Sequence, residues 1–400
     1  MKTLYTNSLN FILAVTSAYL LLSQPLALAA EIQPGALKLE KEGGVPNSVP
    51  GDVEDALEEE SKEKNEFIIA PLPSRAPLLG WTLSVPVMYL WNPKGGHPDN
   101  KPWVSGAVGF VTENDSYGGG IFHSMSVGGD LWRLKGALFT ANLKYDYYGI
   151  GGDGDSPSVP LDQPNDMFVV EALRRTLPGL FIGLKYVYSN TEVGIDNNID
   201  CSQTPRPQEC QAILDQFPFE FTLSTLAPRV QYDTRDNQFY PRKGFLIDGT
   251  AAIGSEKWGS DDDYEKFTLN FNHYYKVSTK GVIATRLDTQ YVTSDSPFFI
   301  YPAFGSNVDL RGYETGTYRD QFLIAAQTEY RHRFTQRWGG VVFAGVGSVD
   351  EDLFGWGETL PSVGFGGRFV IAPKNEMSLR VDFSWGKDEM QFYVGMGEAF

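Results

Sequence analysis

From Glu66 to Phe400 apolar and polar residues alternate with a period of two, and this pattern limits the fold more than any other feature. The clearest stretch is Ser378–Trp385, where Leu379, Val381 and Phe383 alternate with serine, arginine and aspartate. Successive side chains of a β-strand point to opposite faces, whereas an amphipathic helix repeats every 3.6 residues. Since no segment of this region has a convincing helical period, we predict an all-β chain.

The alternation alone is compatible with two kinds of all-β protein. A soluble secreted sandwich or propeller turns its apolar face inward, and a membrane barrel turns it towards lipid. Both arrangements give the same sequence pattern. Composition does not separate them, because a mean hydropathy of −0.25 is ordinary for a soluble protein, while 14% aromatic residues and 42 glycines suit either architecture.

The lengths of the connections favour the barrel. We place sixteen strands at residues 66–72, 79–91, 103–113, 117–129, 132–148, 165–176, 179–190, 219–234, 243–254, 262–277, 281–293, 319–334, 338–348, 360–371, 376–386 and 390–400. Short turns such as 278–280 alternate with long loops such as 190–217 and 298–318. Outer-membrane barrels have even strand numbers, short periplasmic turns and long extracellular loops. We therefore predict a sixteen-stranded antiparallel transmembrane β-barrel in the bacterial outer membrane, with both termini in the periplasm.

Two segments precede the predicted barrel, which occupies residues 66–400. Residues 1–30 combine Lys2, an apolar stretch and small residues at 27–30, which is typical of a secretory signal peptide. Residues 31–65 carry ten acidic residues and four lysines with few large apolar side chains. Such a chain buries too little surface to fold, so we expect a disordered acidic periplasmic linker.

The charge balance and the cysteine count exclude several classes. A net charge of −17, from 33 basic and 50 acidic residues, repels the phosphates of nucleic acid. Two cysteines and four histidines are too few for a zinc-cluster protein, and we predict no metal or other cofactor. Cys201 and Cys210 lie in the long loop 190–217, and we expect a disulfide between them in an oxidising compartment.

A first motif lies at residues 232–244, between the eighth and ninth predicted strands. Asp233 and Arg235 share one strand face with the polar residues before them, so we expect both in the lumen. Pro241 and Gly244 are residues that favour turns. The segment is therefore predicted to be a periplasmic turn motif.

A second motif is Leu310-Arg311-Gly312-Tyr313, in the long loop after the eleventh predicted strand. A loop of this length can fold back into the barrel, where the arginine fork could bind a carboxylate with two hydrogen bonds. The alternative is an ordinary arginine on a surface loop.

Both motifs, together with Glu329-Tyr330-Arg331 and Phe400, resemble the BamA/TamA-like bacterial surface antigen family of outer-membrane assembly and translocation barrels, over residues 65–400. The resemblance implies a sixteen-stranded barrel whose sixth extracellular loop folds inward and pairs its arginine with lumen acids on strands twelve and thirteen. On these residues we predict a loop lock, in which the resemblance implies roles for Arg311, Gly312, Tyr313 and Glu329, and to which Asp382 is added below. The resemblance also implies a C-terminal insertion signal at Phe392, Val394, Met396 and Phe400.

The sequence departs from this family in two places. Where the family has an acid in an F-x-D-x-G segment, residues 343–347 read FAGVG, so Gly345 replaces the acid. Asp382, inward by parity on strand fifteen, is the candidate to compensate for it. Residues 31–65 are also too few for a POTRA domain, so we expect the subgroup without such domains.

The main functional hypothesis is a barrel that assists insertion or transport of protein or lipid through a weak seam between its first and last strands. Pro71 and Pro73 lack ladder donors in the first strand, and Gly395 and Gly397 weaken the last. The implied partners are outer-membrane lipid, outer-membrane protein or lipid clients, and the host assembly machinery that inserts the barrel itself.

Two alternatives remain open at this point. A passive pore or structural surface barrel would use a lumen of mixed charge, formed by Arg286, Asp288, Gln290, Arg368, Arg380 and Asp382. An enzyme would need a catalytic constellation, and none of the four histidines, His97, His123, His273 and His332, has a convincing serine or aspartate partner motif. We therefore predict that the chain is not an enzyme.

Overall fold

The computed structural model describes residues 65–400 except 77–79, 95, 98–99, 148–158, 196–218, 294–295, 297–299, 305–308, 314–317 and 388–389. This region folds into one antiparallel sheet of seventeen strands. The strands are β1 (Glu66–Ile69), β2 (Leu72–Ala76), β3 (Gly80–Trp91), β4 (Trp103–Thr112), β5 (Tyr117–Val127), β6 (Trp132–Tyr147), β7 (Val159–Leu177), β8 (Leu180–Ile195), β9 (Phe219–Asp233), β10 (Gly244–Gly254), β11 (Tyr264–Lys276), β12 (Gly281–Val292), β13 (Phe322–Arg333), β14 (Trp338–Asp350), β15 (Leu360–Ala372), β16 (Met377–Trp385) and β17 (Met390–Met396).

Seventeen strands make sixteen wall positions because β1 and β2 share one. Both pair with β3, through Ile69↔Val87 in β1 and Leu72↔Ser84 in β2. The interruption falls at Ala70 and Pro71, where proline cannot donate to the ladder. Every later strand pairs with its sequence neighbours, and β17 lies beside β2 in the strand order. The prediction of an all-β barrel is confirmed, with the first strand broken in two.

The orientation of the side chains distinguishes the barrel from a sandwich. Phe271 is exposed on the outer face of β11, while Asn272 beside it is buried inside. The same inversion runs around the wall, with exposed apolar residues that include Leu269, Ile283, Leu287, Val342 and Phe365. Buried inner residues include Arg286, Asp288, Gln327 and Arg380. A face that is apolar outside and polar inside is the pattern of a transmembrane barrel.

Strands β7 and β8 are longer than the sequence pattern predicts. Strand β7 begins at Val159 rather than 165, because the alternation continues through Pro160 and Pro164. The ladder with β8 tolerates both prolines, since Pro160 lies before its first pair, Leu161↔Ile195, and the pairing skips residues 163 and 164. Strand β8 likewise ends at Ile195 rather than at 190.

The two ends of the barrel differ. Connections such as 128–131, 178–179, 277–280 and 334–337 form one end, called here the short-turn end. The long loop 293–321 is at the opposite end, together with a 3₁₀ turn at Glu256–Trp258. In the part of the chain that the structure describes, no helix has the length and apolar character needed to cross a membrane.

Candidate functional site

The loop between β12 and β13, residues 293–321 and called here the inward loop, enters the barrel. Its Phe304, Leu310 and Tyr313 pack in a buried apolar cluster with Leu323 of β13 and Leu360 of β15. Arg311, between these anchors, has an exposed fraction of 0%. The surface-loop alternative for Arg311 is therefore wrong, because burial of its apolar neighbours pulls the loop into the lumen.

Arg311 uses three nitrogens on three acceptors. Nη2 donates to Oε2 of Glu329 at 2.6 Å, and Nη1 donates to Oδ2 of Asp382 at 2.8 Å. Nε donates to Oε1 of Gln327 at 2.9 Å, and the guanidinium lies 3.4 Å from the centre of the Phe343 ring. A guanidinium this far from water is stabilised only when its fork is satisfied, which this arrangement provides.

The lock uses Asp382 on β16 rather than an acid on β14. At Gly345 a Cβ atom would lie 2.7 Å from Cδ1 of Leu310 and 2.8 Å from the carbonyl oxygen of Ala326. The inward loop therefore occupies the space that a side chain at 345 would need. The second carboxylate comes instead from Asp382, whose Oδ2 accepts from Arg311 Nη1.

The backbone around Arg311 is fixed by its own contacts. Gly312 has φ +113°, a conformation that favours glycine, and its N–H donates to the Tyr393 hydroxyl of β17 at 2.9 Å. Ser362 donates through its hydroxyl to the Arg311 carbonyl, and Tyr313 donates to the Pro361 carbonyl. The inward loop is thus bonded to β15 and directly to the last strand.

The acids of the lock each have a second arginine partner. Arg331 Nε lies 2.5 Å from Glu329, and Arg368 Nη1 lies 2.6 Å from Asp382. Glu398, beyond β17, joins these two arginines at 2.7 Å from Arg368 and 3.9 Å from Arg331. The result is a closed ring of alternating charge, called here the ion-pair ring, formed by Arg311, Glu329, Arg331, Glu398, Arg368 and Asp382. Sequence reasoning missed Glu398, because the insertion signal around it was identified from the apolar residues alone.

The family model for the Omp85 superfamily domain matches residues 125–400, more than half of the chain. The chain belongs to the Omp85 superfamily. A search of curated protein sequences found no significant match. The resemblance identified from the two motifs is thereby confirmed, and membership places the chain among bacterial outer-membrane β-barrels of the assembly and translocation kind.

Solved structures share the fold of this chain. BamA from Haemophilus ducreyi lacking POTRA domains 1–3 matches with a TM-score of 0.54 and 13% identity, over 93% of this chain and 81% of that one. CdiB from Acinetobacter baumannii matches with 0.53 and 12% identity, over 83% and 59%. CdiB from Escherichia coli matches with 0.57 and 8% identity, over 91% and 66%. The Omp85 chain thus spans less than two thirds of either CdiB.

In the Omp85 chain the turn motif sits at the short-turn end, between β9 and β10. The Asp233 carboxylate accepts from Arg235 Nε at 3.0 Å and from Arg133 Nη1 at 3.2 Å, with Lys101 at 3.7 Å. Gly244 has φ +96°, and a Cβ there would meet the Thr234 carbonyl at 2.3 Å. Asp233 and Arg235 are inside, and Pro241 is buried in the turn.

The same turn reaches across the lumen, which the sequence did not indicate. Phe239 packs with Ile68 and Leu72 of the first wall strand and with Met377 and Met396 of the last two. Arg242 forms an ion pair with Glu376 in the turn between β15 and β16. No sequence signal marks Phe239, because an aromatic residue in a polar turn can equally lie on the surface.

The predicted insertion-signal residues do not share one environment. Phe392 packs against the outward Phe383 with tilted rings whose centres are 5.5 Å apart, and Val394 pairs with Val381. Met396 is buried beside the first strand. Phe400 lies inside the lumen, because β17 ends at Met396 and Gly397 turns the chain inward with φ +80°.

The residues predicted to line the lumen lie on the inner wall. Arg286, Asp288, Arg368 and Arg380 are buried on the inner wall, and Gln290 is half-buried there. One further charged cluster occupies the inner wall, around Arg229 with Glu171 and Asp248. Asp130 belongs to the cluster of the turn motif, because it pairs with Arg133 and Lys101. Residues 1–64, and with them the predicted signal peptide and nearly all of the predicted linker, lie outside the described residues, as do Cys201 and Cys210.

Proposed function

We propose that this Omp85 chain assists insertion or transport of protein or lipid at the outer membrane by parting the seam between β2 and β17. The short-turn end then faces the periplasm, and the inward loop enters from the cell surface. The partners are outer-membrane lipid and client proteins or lipids, and the role involves no catalysis. The barrel itself is inserted by the host assembly machinery.

The observation that carries the proposal is the shortness of the two seam strands. Strand β2 has five residues and β17 has seven, whereas β7 reaches 19. Among the described residues, paired registers end at β2–β3 on one side and at β16–β17 on the other. Strands this short can form fewer ladder bonds, so the seam should open at a lower free-energy cost than a pair of long strands such as β7 and β8.

One end of the seam is held shut. Glu66 of β1 accepts from the backbone N–H groups of Lys374 and Asn375 at 3.0 and 3.1 Å. The apolar cluster around Phe239 joins the first and last wall strands at the same level. The seam is therefore hinged at the short-turn end, and we expect it to open from the other end.

A cysteine lock tests the seam. In a background with Cys201→Ser and Cys210→Ser, cysteine pairs are scanned along β2 and β17 and oxidised in cells. A lock should stop assembly of outer-membrane clients, and reduction should restore it. The matched control is Ala344→Cys with Val363→Cys, directly paired in β14 and β15 away from the seam. Normal client assembly with a quantitatively locked seam would rule out the proposal.

Depletion of the protein identifies the client class. A census of outer-membrane proteins and lipids should show a selective loss. Loss of a protein class points to insertion or secretion, and loss of a lipid class points to lipid transport. An unchanged outer membrane would contradict both.

A passive pore is the second candidate, favoured by an inner wall that carries both signs of charge, such as Arg286 and Asp288. The inward loop opposes it by filling part of the lumen. Planar-bilayer recording separates the two. A small, flickering conductance supports the plugged barrel, and a large steady one supports the pore.

A further inference from the structure

The segment after β17, Gly397–Phe400, occupies a built site on the opposite inner wall. Gly397 still donates to the Ser378 carbonyl of β16 at 2.7 Å, and the chain then leaves the wall. Phe400 and Ala399 pack with Tyr274 of β11 and Ala284 of β12 in a buried cluster. This segment is called here the tail.

The site combines apolar and charged contacts. The Arg331 guanidinium lies 5.5 Å from the ring centres of both Tyr274 and Phe400, so it sits between them. Its Nη2 donates to the Phe400 carbonyl oxygen at 2.6 Å. Glu398, with a side chain 2% exposed, binds Arg368 at 2.7 Å. Phe400 thus contacts Tyr274 and Arg331, and Glu398 binds Arg368, so two residues of the tail bind at two separate places on the wall.

We propose that the inner wall of β11–β13 and β15 is a docking site for the tail, and that the docked tail latches β17 and is coupled to the inward loop through the ion-pair ring. The docking and the coupling are properties of the barrel itself. The consequence that the latch keeps the seam closed rests on the proposed function.

Strand β17 is held from inside at two points. The inward loop bonds Tyr393 through Gly312, and the tail anchors the end of the strand through Glu398 and Phe400. Both points are on the lumen side, so the strand cannot swing outward while they hold. The seam has few bonds of its own to replace them.

The ion pair between Glu398 and Arg331 is the longest link of the ion-pair ring. Glu398 lies 3.9 Å from Arg331, while the other five links are between 2.5 and 2.8 Å. Among the described residues, buried Oε1 of Glu398 and Nη1 of Arg331 have no hydrogen-bond partner. Unmade bonds at this link lower the cost of releasing the tail first. Release leaves Arg331 and Arg368 with fewer carboxylates, and both then compete with Arg311 for Glu329 and Asp382.

Thiol labelling tests docking and coupling together. In the Cys201→Ser, Cys210→Ser background, single cysteines replace buried Ala399 in the tail or buried Ala303 in the inward loop. An impermeant maleimide is applied to folded barrels in liposomes. Both cysteines should be protected in the otherwise unchanged protein. Glu398→Gln should raise the labelling rate at 399 about tenfold and should also raise it at 303, because coupling between two sites is reciprocal. Arg311→Met should raise the rate at 399 in turn.

The control is Glu358→Gln, which removes an acid paired with Lys387 on the exposed surface and should leave both rates unchanged. Rapid labelling at 399 in the unchanged barrel would overturn docking. A labelling rate at 303 that is unchanged by Glu398→Gln would overturn the coupling between the tail and the inward loop. Phe400→Ala gives a second variant, which keeps all charges and should also release the tail.

If these results hold while a locked seam has no effect on client assembly, the proposed function fails and the docking site stands. If a locked seam stops client assembly but the labelling results fail, the latch is rejected and the proposed function stands.

Discussion

Arg311 and Asp382 are 71 residues apart in the sequence, and Nη1 of the first donates to Oδ2 of the second at 2.8 Å with neither side chain exposed. The bond joins the inward loop to β16, the neighbour of the last strand. It therefore connects the inward loop, which lies in the lumen, to the strands beside the seam. The charge on Asp382 is shared with Arg368, so the loop is one part of a larger network.

Replacing Arg311 with methionine should destabilise the barrel, because Glu329 and Asp382 each lose a partner where water is excluded. Removing one partner of a buried ion pair costs about 3–5 kcal/mol. The temperature at which the folded band disappears from a semi-native gel should fall clearly. Lys387→Met breaks an exposed pair and should cost about 0–1 kcal/mol. Equal temperatures for the two variants would contradict the lock.

Gly345→Ala should displace the inward loop. The added Cβ would lie 2.7 Å from Leu310 Cδ1 in a packed cluster, and overpacking costs about 1–3 kcal/mol. Protease sensitivity of the loop should increase. Gly367→Ala is the matched control, since no atom lies within 4 Å of the Cβ it adds to β15. A loop equally protected in both variants would show that the space at 345 is not filled.

Asp233→Asn should loosen the short-turn end. The substitution removes the charge that Arg235, Arg133 and Lys101 share, and leaves three cations close together. We expect a loss of about 3–5 kcal/mol, measured as denaturant-induced unfolding in detergent. Asp115→Asn makes the same change on an exposed turn and should be close to neutral. An equal effect of both would mean that the cluster contributes little.

Phe239→Ala should release the turn that crosses the lumen. The ring is buried among residues of the first and last wall strands, and truncating a buried phenylalanine costs about 3–5 kcal/mol. Trypsin should then cut at Arg242 or Lys243 more rapidly. Phe334→Ala truncates an aromatic residue that is mostly exposed at the same end and serves as control. Unchanged cleavage in Phe239→Ala would place the turn outside the seam closure.

Much of the wall could be predicted because strand periodicity is local. The predicted bounds of the strands starting at 132, 219, 281 and 376 agree within one residue with β6, β9, β12 and β16. Errors arose where local signals conflict. Residues 159–164 were predicted to be loop but belong to β7, and residues 397–400 were predicted to be strand but turn inward at Gly397.

The sequence by itself determined the all-β class, the inverted faces implied by the loop lengths, and the candidates Arg311, Glu329 and Asp382. The all-β class and the inverted faces follow from side-chain alternation and from the lengths of the connections. The three candidates follow from the resemblance of local motifs to the family and from the parity of Asp382 on its strand. Only the tertiary structure decided that Asp382 and not residue 345 pairs with Arg311, that Phe239 reaches the seam, and that Glu398 closes a ring of charge. Those contacts join residues from wall strands that are not neighbours, and such distances depend on closing the whole sheet around a filled lumen.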